Sequence, residues 1–166
     1  MREGPIAYLI TFRTYGSWLH GDERGSFAFR RNAYGTPGVP SSAPLRELSA
    51  RFMKGTPQSL DAGRRKVVAA AINSVCDHRE WYLHAVAVRT EHIHAVVSST
   101  EPPEKVLASL KAWATRRVRD AGLSPKEQRL WSHHGSTVYL WDETQLERAT
   151  LYVVEGQGAP LDDHPR

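Results

Sequence analysis

The sequence predicts an α+β fold in which one open antiparallel sheet carries packed helices. Three observations favour this fold class. Strand-like segments alternate with two long segments of helical periodicity, two of the strands follow each other across a short turn, and a last helix follows the last strand. The 166 residues are 40% hydrophobic, which is enough to bury a core as one domain over residues 1–166.

The first strand is predicted close to the N-terminus. Ile6, Tyr8, Ile10 and Phe12 alternate with other residues of low polarity, a pattern that predicts a strand buried on nearly both faces. The following segment, 15–59, is rich in Gly, Pro, Ser and Arg and has little periodicity. We therefore expect a long irregular insertion there, and insertions of this length are usually functional or mobile.

A helix and a hairpin are predicted next. The helix begins near Ser59 or Asp61, either of which can cap it, and ends before Trp81. Its apolar residues recur on one face: Val68, Ala71, Ile72 and Val75. Residues 81–88 are aromatic and β-branched and predict a strand. A short turn at 90–91 leads to another strand, so the two are expected to form a hairpin.

A second long helix, a strand and a last helix complete the pattern. Pro102 and Pro103 open the helix, and residues 137–141 predict the strand. Asp142 can cap the last helix, which contains Tyr152. An antiparallel sheet with two long helices across it and a C-terminal helix that carries a tyrosine is a ferredoxin-like arrangement.

Two histidines at dipeptide spacing are the first candidate functional residues. A strand has a side-chain period of two, so His92 and His94 lie on one face while Ile93, Ala95 and Val97 lie on the other. Two imidazoles side by side can hold one metal ion. Alternatively, the strand is half exposed and its histidines are ordinary polar groups.

The charge distribution favours a polyanionic partner. Residues 1–130 carry 20 Lys and Arg against 12 Asp and Glu, whereas residues 131–166 carry 2 against 6. Basic side chains cluster at 64–66 and at 111–119, where they suit contact with phosphates or, alternatively, form solvated helix faces.

Cysteine content and hydropathy suggest where the protein resides. A single cysteine, Cys76, excludes an internal disulfide and a Cys-x-x-Cys metal site and fits a reducing compartment. No apolar run reaches the length of a membrane span, and the N-terminal residues do not resemble a signal peptide. We therefore expect a cytoplasmic protein with no membrane partner.

Three groups of residues, taken in order, resemble the single-tyrosine HUH transposases, specifically their REP-associated branch. The first is a hydrophobic strand that ends in a turn and the His-x-His pair, residues 88–97. The second is a helix that bears Lys and Arg, residues 110–117. The third is the Leu-Trp-Ser step at 130–132, followed by a strand and the helix with Tyr152. The resemblance covers nearly all of the chain except the insertion.

This resemblance implies metal-assisted, tyrosine-based cutting and rejoining of single-stranded or hairpin DNA. His92 and His94 would hold Mg²⁺ or Mn²⁺ against the scissile phosphate, and Tyr152 would attack phosphorus to leave a 5′-phosphotyrosine and a free 3′-hydroxyl. The expected partners are this DNA and, in a homodimer, a second copy of the chain. We expect the DNA contacts at Arg13, Lys111, Arg116, Arg117 and Arg119.

The third metal ligand departs from the family pattern. The family commonly has Gln or Asn four residues after the tyrosine, and here that position is Gly156. Imidazole suits Mn²⁺ better than Mg²⁺, so an oxygen ligand is expected as well. An unbroken helix brings Glu155 closer to the Tyr152 face, whereas a helix broken at Gly156 would let Gln157 reach the ion. Gln157 is the preferred prediction and Glu155 is its substitute.

Two other functions are open on the sequence alone. A protein of the same fold can bind DNA without turnover if the altered third ligand has abolished cleavage. A small metallohydrolase can instead use His84 with His92 and His94 and a metal-bound water. A covalent protein–DNA adduct that depends on Tyr152 separates the transposase-like function from both.

Overall fold

The computed structural model describes residues 4–17, 42–51 and 55–156. The elements in these ranges are, in order, β1 (Ala7–Arg13), α1 (Ala43–Arg51), α2 (Ala62–Arg79), β2 (Tyr82–Val88), β3 (His92–Ser98), α3 (Pro103–Asp120), β4 (Ser136–Leu140) and α4 (Glu143–Glu155). The strands form one antiparallel sheet in the order β2-β3-β1-β4. The prediction of an α+β, ferredoxin-like sheet is confirmed.

Helices cover both faces of the sheet. On one face, α2 and α3 pack against residues of β1 and β3 that include Ile10 and Ile93, both fully buried. On the other face, α4 packs through Ala149 and Val153 against Val96 and its neighbours. Because side chains alternate along a strand, every second residue of β1 and β3 faces α4 and the others face α2 and α3.

Side-chain caps begin α2 and α4 where the sequence predicts them. An Asp61 carboxylate oxygen accepts from the backbone N–H of Arg64 at 2.8 Å, at the start of α2. At the start of α4, Asp142 accepts from the N–H of Gln145 at 2.8 Å, and Gln145 Oε1 accepts from the N–H of Trp141 at 2.9 Å. Among the described helices, none is both long and apolar enough to cross a membrane.

The insertion contains a helix that the sequence pattern does not predict. The expectation of irregular structure is wrong for α1, whose nine residues include no buried side chain. A helix that buries nothing needs no apolar stripe, so periodicity gives no sign of it. Residues 18–41 and 52–54 lie outside the described ranges. The insertion returns close to its start, because the N–H of Gln58 donates to the Tyr15 carbonyl oxygen at 2.7 Å.

Candidate active site

The register of the two central strands positions the histidine pair. His94 lies opposite Thr11 and His92 lies opposite Arg13. The two imidazole centroids are 4.9 Å apart, as expected for side chains on one strand face. This is also the face of Val96, against which α4 packs. The predicted metal ligands therefore lie side by side beneath the helix that carries the tyrosine.

His94 is buried and held by a hydrogen bond. Its Nδ1 lies 2.7 Å from Thr11 Oγ1. Burial lowers the pKa of His94 to about 4, and the positive charges of His92 and Arg13 add to this effect. The ring is therefore neutral at pH 7, which is the form that binds metals. When Nδ1 carries the proton and donates it to Thr11, Nε2 keeps its lone pair for a ligand bond.

Tyr152 stands beside this histidine. Tyr152 lies three residues after Ala149 and one residue before Val153. The side chains of Ala149 and Val153 pack α4 against the sheet. The Tyr152 and His94 ring centroids are 5.5 Å apart, with the ring planes at 75°. Tyr152 is nevertheless 47% exposed, so a large ligand can reach it. The structure thus brings together the predicted nucleophile and the two predicted metal ligands.

The end of α4 bears on the third ligand. The last residue of α4 is Glu155, and the N–H of Gly156 donates to the Tyr152 carbonyl oxygen at 2.9 Å, which is the bond of a regular helical turn. The expected break at Gly156 stays a prediction, because the residues after it lie outside the described ranges. Gln157 lies outside the described residues. Across the described ranges, no three His, Cys, Asp or Glu side chains form a group that could hold a metal ion. Glu155 therefore does not form such a group with the two histidines. Gln157 stays a prediction.

Gly156 has a second role that sequence reasoning missed. A Cβ at this position would lie 2.7 Å from the Tyr152 carbonyl oxygen and 2.9 Å from Cδ2 of the Tyr152 ring. Real Cβ contacts are essentially never this short. The backbone φ of −83° is ordinary, so the position requires glycine for space and not for conformation. Glycine here lets the chain pass directly against the tyrosine.

The alternative three-histidine site does not form. Ala87, not His84, lies opposite His94 in the β2–β3 register. His84 sits at an irregularity in that pairing, and its Nε2 lies 2.8 Å from Ser98 Oγ, which donates to the Ile6 carbonyl oxygen at 2.7 Å. These partners are at the opposite end of β3 from the histidine pair. The hypothesis that His84 completes a zinc site is therefore wrong for this arrangement.

The predicted DNA-binding residues fall in three places. Arg13 lies beside the histidine pair, opposite His92. Arg116 and Arg117 flank the ring of Trp113, with guanidinium carbons 5.9 Å and 5.7 Å from its centroid. The other two, Lys111 and Arg119, line what we call the α3 cleft, which lies between α3 and residues 129–137.

Lys111 is engaged by the protein itself. Its Nζ donates to the carbonyl oxygens of Ser132 at 2.8 Å and His134 at 2.6 Å. Burial lowers the pKa of Lys111 to about 8, and the charge of Arg129 contributes. The side chain therefore ties α3 to the segment before β4, a role that the sequence did not indicate.

Neither a family model nor a curated protein matches this sequence. The structure is similar to that of a REP-associated tyrosine transposase bound to a REP hairpin, with a TM-score of 0.48 and 12% identity, covering 90% of this chain and 65% of that chain. It is also similar to a candidate transposase from Deinococcus radiodurans R1, with a TM-score of 0.46 and 13% identity, covering 96% of this chain and 100% of the other. This chain spans 65% of the length of the first protein, and both likenesses are likenesses of fold.

Proposed function

We propose that this chain is a metal-dependent endonuclease and strand transferase that acts on single-stranded or hairpin DNA through a 5′-phosphotyrosine. The observation that carries the proposal is the contact between Tyr152 and His94, on the sheet face that also bears His92. A half-exposed tyrosine beside a buried imidazole and its neighbour His92 combines a nucleophile with ligands for a cation. The neighbouring Arg13 adds a positive charge that suits a phosphate.

The donor set fits a divalent cation. The two imidazoles are adjacent, and the bond to Thr11 fixes the orientation of one of them. His92 and His94 would hold Mg²⁺ or Mn²⁺, with Gln157 as the proposed oxygen ligand. When bound, the ion would offset negative charge on the scissile phosphate as that charge grows in the transition state.

The transfer step exchanges one phosphate ester for another. The Tyr152 hydroxyl oxygen forms a bond to phosphorus, and the bond between phosphorus and the 3′-oxygen of the preceding nucleotide breaks. The phenolic proton passes to solvent, and the departing 3′-oxygen takes up a proton. Attack of a 3′-hydroxyl on the phosphotyrosine reverses these steps, so strands rejoin without ATP. The His94 contact positions the tyrosine ring for this attack, and Gly156 leaves free the space next to that ring.

The nucleophile is tested with Tyr152→Phe, which removes the attacking oxygen and keeps the ring. A hairpin oligonucleotide is labelled separately at its 5′ and 3′ ends, incubated with Mg²⁺ or Mn²⁺, and separated on a denaturing gel. We expect wild type to retain the 3′-labelled fragment covalently and Tyr152→Phe to retain none. Tyr82→Phe, which alters an exposed tyrosine on β2, is the matched control and should form the adduct. An adduct that persists in Tyr152→Phe would refute the assignment.

The metal site is tested with His92→Ala. His92 is less buried than His94, so its replacement should destabilise the fold less than replacement of His94. Cleavage should disappear while hairpin binding persists, since phosphate contacts elsewhere supply most of the affinity. Cleavage retained with added Mn²⁺ would exclude these ligands.

DNA binding without turnover is the second candidate function. Gly156 in place of the family's ligand favours it. Wild-type protein that binds hairpin DNA but forms no adduct with either Mg²⁺ or Mn²⁺ would establish this function instead.

A further inference from the structure

The α3 cleft lies on the sheet face opposite His92 and His94 and has a volume of about 720 Å³. Three of its charged side chains are basic, Lys111, Arg119 and Arg129, whereas Glu104 is acidic. Thr115, Ser132 and Thr137 add polar groups to the wall, and Leu107, Leu130 and Trp131 add apolar ones. A concave surface with this excess of positive charge attracts a polyanion.

Two arginines in the cleft are held in position. The Nη2 of Arg119 donates to the Gln128 carbonyl oxygen at 3.3 Å, while its Nε is buried and, among the described residues, has no hydrogen-bond partner. The Nε of Arg129 donates to the Trp131 carbonyl oxygen at 3.0 Å, and its guanidinium carbon lies 4.9 Å from the centroid of the Tyr15 ring. Guanidinium groups fixed in this way are suited to phosphate oxygens.

Exposed aromatic rings continue the same surface along β4. Thr137 in the cleft is followed at a spacing of two by Tyr139 and Trp141, so the three side chains share a side of the chain. Tyr139 and Trp141 are 42% and 57% exposed. Their rings are stacked, with centroids 5.9 Å apart and planes at 22°, and Tyr8 supports the Tyr139 ring edge-on at 5.5 Å. Such paired exposed rings beside basic groups are typical of single-stranded nucleic-acid sites.

The cleft and the candidate active site meet at one residue of β1. The hydroxyl of Thr11 contacts His94 on the α4 face, whereas its carbonyl oxygen lies 2.5 Å from where a Cβ on Gly135 would be. Gly135 lines the cleft. DNA held in the cleft would therefore lie along β4, the edge strand that leads into the helix that carries Tyr152.

We propose that single-stranded DNA binds along α3 and β4, with phosphates at Arg119 and Arg129 and bases stacked on Tyr139 and Trp141. This inference rests on the proposed function only in taking DNA as the ligand. The inference predicts two kinds of contact. In the cleft the strand is bound through its phosphates, whatever its bases, whereas the aromatic pair binds only a strand that carries bases.

Two oligonucleotides of equal length test the stacking, a 20-mer of thymidines and a 20-mer of abasic sites with the same phosphates. Binding is measured by fluorescence anisotropy in EDTA, so that no cleavage is needed. Trp141→Gln should weaken binding of the base-containing strand by about 5- to 150-fold, the range for loss of one stacked base. Binding of the abasic strand should not change. Tyr82→Gln, which alters an exposed ring on the other edge strand, should change neither. Equal effects of Trp141→Gln on both strands, or no effect, would overturn the proposal.

Tests of charge and intrinsic fluorescence complete the experiment. Arg129→Gln should weaken binding of both strands and lower the log–log salt slope by about one. The thymidine 20-mer should quench wild-type fluorescence, and Trp141→Phe should reduce that quench, because Trp141 is the one exposed tryptophan among the described residues. A quench unchanged in Trp141→Phe would also refute stacking. An adduct without base-dependent binding refutes this inference alone, whereas base-dependent binding without an adduct refutes strand transfer alone.

Discussion

Replacement of Thr11 by valine tests whether the hydroxyl positions His94 for metal binding. Valine has the shape of threonine and an equal preference for strands, so pairing of β1 with β3 and β4 should persist. The change removes the oxygen that lies 2.7 Å from His94 Nδ1. Because His94 is only 7% exposed, water cannot readily replace this partner.

Two magnitudes follow from that geometry. A buried polar group left without a partner costs about 1–3 kcal/mol, so the free energy of unfolding of Thr11→Val should fall by about this amount. Loss of a group that orients a metal-binding histidine typically costs about 10- to 100-fold in metal affinity. The Mn²⁺ concentration that supports half-maximal adduct formation should therefore rise by about that factor.

The assay is a Mn²⁺ titration of adduct formation, combined with urea unfolding in EDTA. Thr11→Ser keeps the hydroxyl and is the matched control, which should stay close to wild type in the Mn²⁺ midpoint. A Thr11→Val midpoint equal to that of wild type would refute the positioning role. A Thr11→Ser midpoint as weak as that of Thr11→Val would attribute the loss to packing instead.

Two further predictions concern Gly156 and Lys111. Gly156→Ala places a Cβ 2.7 Å from the Tyr152 carbonyl oxygen and should slow single-turnover adduct formation by about 10- to 100-fold, since small displacements of reacting groups have effects of this size. Gly63→Ala, whose Cβ would make an ordinary 3.6 Å contact, is the control, and an equal rate in both variants would contradict the prediction. Because the pKa of Lys111 is lowered from 10.5 to about 8, the unfolded chain binds more protons between these values, and stability from this group rises as pH increases through that window. Between about pH 7.5 and 9.5, the free energy of unfolding of wild type, measured in urea, should rise relative to that of Lys111→Met by on the order of 1 kcal/mol after allowance for solvent screening. A difference between the two proteins that does not change with pH would contradict the lowered pKa.

The sequence by itself determined the features that depend on neighbours along the chain. Strand alternation placed His92 and His94 on one face, and the Asp61 and Asp142 caps marked where two helices begin. These features could be predicted because side-chain period and capping are local properties of the backbone. Helix α1 escaped prediction because it buries no side chain and so needs no apolar stripe.

Only the tertiary structure decided which residues meet. The β1–β3 register chose Thr11 as the partner of His94, and the packing of α4 brought Tyr152 to the same ring. Packing also directed the Lys111 ammonium to backbone carbonyls, and strand pairing left His84 at the far end of β3. Strand register and helix docking depend on the total apolar surface that residues distant in sequence bury together, such as Val96 against α4. A pattern of neighbouring residues along the chain cannot predict that total.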